Sequence, residues 1–111
     1  MTDAKAALAA AKTRLGGFAR ATPGLMQSFG GISRAATAAG SFSPAQKELM
    51  AVAIAVAKGC EDCILYHLDG ARRQGADEAA LLEALEVAVE MGGGPAVMYG
   101  AKALDVWRSL A

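Results

Sequence analysis

A chain of 111 residues allows one domain with one modest core. Apolar residues make up 54% of it, and eleven basic side chains are balanced by eleven acidic ones. That neutrality argues against nucleic acid or an anionic membrane surface as partner, and the longest apolar run, Leu49 to Ala57, is far too short to cross a bilayer.

The opening segment, "MTDAKAALAAAKTR", is charged throughout and lacks the apolar stretch of a secretory signal, so the cytoplasm is the expected compartment. Residues 3 to 15 read as a helix ending at Gly16-Gly17. Thr22-Pro23 restarts the chain, and Gly30-Gly31 is a candidate break in that second segment. Ser43, Pro44 and Gln46 form a helix-start signature: a serine cap, proline at the first position and glutamine at the third. The helix they open should run to about Lys58 and stop at Gly59. Its stretch from Leu49 to Ala57 is apolar all round and is expected to be buried on most sides.

A further helix is expected from near Cys60 to Gln74, with Arg72 and Arg73 in its last turn and Gly75 as a left-handed cap. Asp77 can cap "EAALLEALEVAVEM", which ends at Gly92 to Gly94, and Pro95 can open a last helix through Trp107. Met91, Met98, Tyr99 and Trp107 read as core, with no chemistry assigned. No run alternates as a strand would. The expected fold is all-α, five to six helices in a single domain over residues 1–111.

Both cysteines and the sole histidine fall within eight residues, "CEDCILYH". Cys60 and Cys63 are three apart, and Cys63 and His67 four apart, which places all three on one helical face. That stripe continues through Ile64, Ala71 and Gln74, so the thiols and the imidazole are expected to look toward an apolar interior. Tyr66 points off it and reads as packing. Cys60, directly after Gly59, meets the positive end of the helix, which favours a thiolate. Glu61 and Asp62 oppose that with negative charge, although acids are favoured in any first turn. Glu48 admits two readings: a partly buried carboxylate able to pass protons, or a solvated acid like any other. Lys47 beside it reads as solvated.

Glu48, Cys60, Cys63 and His67 spell E-x11-C-x2-C-x3-H. The pattern resembles the AhpD-like alkylhydroperoxidases of the carboxymuconolactone decarboxylase family, and the likeness extends from about Ser43 through "GGGPAVMYGAKAL". The resemblance implies that Cys63 attacks a hydroperoxide, that Cys60 resolves the product as a disulfide, and that Glu48 and His67 relay protons. It also implies a dithiol reductant and homo-oligomers, often a hexamer built as a trimer of dimers. The short, alanine-rich and apolar chain points the same way, since its helices should bury further surface between subunits. The best-known hydroperoxidases of the group carry a histidine just before the second cysteine, where this chain has Asp62, and they are longer. Cys60, at the helix start, is expected to be the thiol more accessible to an outside reductant.

Other readings stand beside this one. The thiols can be inert core residues, or redox sensors in a non-catalytic oligomer. A decarboxylase-like lyase would use Glu48 and His67. A zinc site could draw on both thiols, His67 and Glu48, but structural zinc sites usually take ligands from two separated knuckles, not one helix. No metal and no cofactor are expected.

Overall fold

A computed structural model describes residues 3–111; Met1 and Thr2, part of the stretch read for a secretory signal, lie outside the described residues. Six helices account for the fold, and no strand occurs among the described residues. They are α1 (Ala4–Ala21), α2 (Pro23–Thr37), α3 (Pro44–Lys58), α4 (Glu61–Arg73), α5 (Glu78–Gly92) and α6 (Gly94–Ser109).

The helix starts follow their local chemistry. Ser43 accepts the Gln46 N–H while the Gln46 side chain accepts the Ser43 N–H, so the expected capping box opens α3. Asp3 caps α1 and Asp77 caps α5 with the carboxylate alone, accepting the Lys5 and Ala6 N–H groups and the Ala80 N–H respectively.

The glycine pairs behave differently from expectation. α1 runs through Gly16-Gly17 and α2 through Gly30-Gly31. A glycine in a helix interior costs about 1 kcal/mol relative to alanine, which the continuing hydrogen-bond ladder absorbs. α1 ends instead at Thr22, where Pro23 removes a donor and restricts its predecessor. The Thr22 N–H and hydroxyl both donate to the Phe18 carbonyl.

The core is built from α3 to α6. Val52 and Val56 of α3, Leu68 and Ala71 of α4, Leu81 of α5 and Ala103 of α6 are essentially inaccessible, and Trp107 closes one end. Arg72 lies over the Trp107 ring at 4.2 Å and donates to its backbone carbonyl, tying α4 to α6. α1 lies against α4, held by Lys12 to Asp69 at 3.2 Å, and Asp69 also receives Arg73 at 2.9 Å. α2 contributes no buried residue at all.

α3 is covered on most sides, as expected, and only one stripe, with Met50 and Ile54 at 41% and 60%, stays exposed. Two packing expectations need correction. Met91 and Met98 are exposed, not core, because they flank the Gly92–Gly94 corner and face outward; Trp107 is buried and Tyr99 partly so. Lys47 is partly covered and donates to the Ala38 carbonyl at 2.7 Å, at the end of α2.

Candidate active site

The site begins where α3 stops. Gly59 adopts the left-handed conformation (φ 74, ψ 40), and its N–H returns to the Ala55 and Val56 carbonyls. A side chain there would strain the backbone and crowd the Tyr99 ring at 3.1 Å. This tight reversal makes Cys60 the N-cap of α4. Its Sγ accepts the Cys63 N–H at 3.2 Å, a sulfur in the place usually taken by a serine or aspartate oxygen. Cys60 and Cys63 are joined as a disulfide across that first turn, with Cα atoms 5.2 Å apart.

The two cysteines are unequally exposed. Cys63 is exposed, whereas Cys60 is half-buried. This corrects two expectations: Ile64 and Ala71 of the stripe are buried, but Cys63 does not face the interior, and Cys60 is not the more exposed cysteine. The buried side of α4 includes Leu65 and Leu68, at 8% and 0% exposure, alongside Ile64 and Ala71. Those leucines turn the core-facing surface away, leaving Cys63 and Gln74 at its rim.

His67 follows Cys63 by one turn, a spacing that sets Cβ atoms about 5–6 Å apart. Its Nδ1 lies 3.0 Å from Oε2 of Glu48, which reaches across from α3. The Glu48 side chain is only 14% exposed, so it is a partnered, enclosed carboxylate and not a solvated acid. With Nδ1–H donated to Glu48, the neutral imidazole presents its acceptor lone pair on Nε2. Tyr66 stands edge-on to the imidazole, with centroids 5.3 Å apart, and is half exposed.

One further residue makes this geometry possible. A Cβ at Gly70 would collide with the Glu48 carboxylate and lie 3.0 Å from its Cδ. Gly70 thus leaves the gap through which Glu48 meets His67. The sequence carried a signal for it, an isolated glycine inside a helical pattern. Arg14 and Lys102, which pair with Asp62 and Glu61, carried none, since they stand 48 and 41 residues away along the chain.

Among the described residues no three His, Cys, Asp and Glu side chains gather as a metal-binding group. A groove of about 520 Å³ lies between α1, α4 and α6, lined by Ala7, Arg14, Asp62, Ile64 and Val106 among others, but neither cysteine nor His67 lines it. No helix among the described residues is long and apolar enough to cross a membrane.

An enclosed Glu–His pair one turn from a disulfide is the same set of residues that carried the sequence resemblance, and comparison with known proteins agrees. Residues 23–106 match the carboxymuconolactone decarboxylase family. The chain belongs to that family. An uncharacterized protein of Cupriavidus necator is 45% identical over 109 residues, covering 98% of this chain and 96% of its own. The uncharacterized protein 4 in the cox locus of Paracoccus denitrificans is 38% identical over 96 residues, covering 86% of each chain. The apo crystal structure of a carboxymuconolactone decarboxylase family protein from Legionella pneumophila superposes with a TM-score of 0.84 at 42% identity, over 87% of both chains. The all-helical family fold expected from the sequence is therefore the fold found.

Proposed function

We propose that this protein is a thiol-dependent peroxidase of the AhpD-like kind, reducing hydroperoxides at the expense of a dithiol. The supporting observation is the Cys60–Cys63 pair set one turn from the Glu48–His67 pair. In the reduced protein the Cys63 thiol gives its proton to His67, whose imidazolium is balanced by Glu48. The thiolate attacks the distal hydroperoxide oxygen; the S–O bond forms as the O–O bond breaks. The departing alkoxide takes the proton from His67 and leaves as an alcohol. Cys60 then attacks the sulfenic sulfur of Cys63, expelling water and closing the disulfide. A dithiol attacks the sulfur of Cys63, the more exposed residue of the pair, releasing Cys60. Its second thiol resolves the mixed disulfide and returns Cys63 reduced. The reaction is proposed for the cytoplasm, where dithiol reductants are maintained.

Turnover is the test. Supplied with dithiothreitol and cumene hydroperoxide, the protein should consume many equivalents of peroxide per chain. Oxidation that stops after one equivalent would identify a redox sensor instead. A lyase reading draws support from the Glu48–His67 pair, which is complete without the thiols. A variant lacking both cysteines that still decarboxylates a γ-lactone acid would favour it.

The functional unit we propose is a homo-oligomer, a hexamer arranged as a trimer of dimers. It is supported by α2, which exposes Leu25, Phe29 and Ile32 at 59%, 53% and 63% while burying none of its residues.

A further inference from the structure

The first turn of α4 carries two acids between its sulfurs, and a carboxylate beside a thiol opposes its ionisation. Each acid is met by a base from another helix. Arg14 of α1 donates from a single guanidinium nitrogen to both oxygens of Asp62, at 3.2 and 3.0 Å. Lys102 of α6 donates to Glu61, whose carboxylate in turn raises the pKa of the ammonium. The Arg14 and Asp62 side chains are 62% and 57% exposed, and exposed ion pairs contribute little to stability. Their position is what sets them apart, because Asp62 is the residue immediately before Cys63.

We infer that Arg14 is a positioning residue for the thiol site: it holds and neutralises Asp62 so that Cys63 ionises near neutral pH. The inference rests on the thiol reading of the site. It also explains how an acid is accommodated at this position. The Asp62 charge is cancelled by a base recruited from a helix remote in sequence, so the thiolate forms beside a neutral ion pair and not beside a free carboxylate.

The experiment measures ionisation without peroxide. Protein reduced with dithiothreitol and freed of it is alkylated with iodoacetamide over a pH series at low salt. The Cys63 thiolate displaces iodide, and mass spectrometry follows the Cys63 peptide. For Arg14→Ala the expected profile moves to higher pH by about half a unit, roughly a threefold slower reaction at neutral pH, the size of one screened charge. Arg14→Lys keeps the unmutated profile, since the charge remains. Arg14→Ala combined with Asp62→Asn returns the profile to or below the starting one. In about 1 M salt, where the screening length falls to ~3 Å, Arg14→Ala and the unmutated protein converge. An unmoved profile for Arg14→Ala at low salt would overturn the inference, as would an equal displacement by Arg14→Lys or a displacement that persists in the double variant. A protein that shows these shifts yet never turns over peroxide would sink the peroxidase proposal and leave this one standing.

Discussion

In the proposed mechanism Cys60 and Cys63 share one turn but not one task. Cys63 is exposed and lies a turn from His67, while Cys60 is half-buried at the cap. Cys63→Ser should abolish reaction with hydroperoxide. Cys60→Ser should react once and leave a trappable sulfenic acid on Cys63, located by dimedone labelling and mass spectrometry. A sulfenic acid formed on Cys60 of Cys63→Ser at the unmutated rate would invert the assignment. Glu48→Gln and His67→Ala keep both thiols, and each should slow the first oxidation step by the order of 10²–10⁴ that general acid–base help supplies. Stopped-flow oxidation of the reduced variants measures it, and an unchanged rate in both would remove the relay from the mechanism. This much of the site was legible in the sequence because it is local: the thiols and imidazole occupy two turns of one helix, and Glu48 lies on the preceding one. The orientation of the thiols was not, because it depends on which leucines of α4 find the core, and Leu65 and Leu68 did.

Between elements, the close approach of α3 and α4 at Gly70 sets the Glu48–His67 pair. Gly70→Ala would bring about 1 kcal/mol of added helix propensity, against a collision with the far end of a flexible side chain. The carboxylate can swing aside, so the fold should survive with its melting temperature within a few degrees of the starting value. The peroxide step should slow as much as in Glu48→Gln, and adding Glu48→Gln to Gly70→Ala should change nothing further. Independent, multiplying effects in the double variant would show that Gly70 acts elsewhere. At this scale the sequence was legible where a terminus carries its own chemistry, as at Ser43-Pro44-Gln46 and Gly59. It was misleading at Gly16-Gly17 and Gly30-Gly31, because glycine in helical conformation weakens a helix without ending it, and proline at position 23 supplies the stop of α1.

Across the whole molecule, large apolar side chains are left uncovered on every helix; on α1 and α2 they are Leu15, Phe18, Leu25, Phe29 and Ile32, all between 41% and 63% exposed. Phe29→Asp combined with Ile32→Asp should reduce the mass measured by light scattering after size exclusion, relative to the unmutated protein. A monomeric mass for the unmutated protein at micromolar concentration would remove the oligomer proposal. The exposure of Met91, Met98 and Ile54 was not readable from their spacing, because periodicity distinguishes the sides of a helix but not which side meets a neighbour.

The uncovered state of α2 bears on mass action. A helix of 15 residues with none of them buried draws little from its own chain, and such helices are marginal alone in water. Under the proposed oligomer, its order comes from contact between copies and varies with how many copies are present. Amide protons of α2 should exchange quickly in dilute solution and slow as the protein is concentrated, while those of Val52 and Leu68 stay protected throughout.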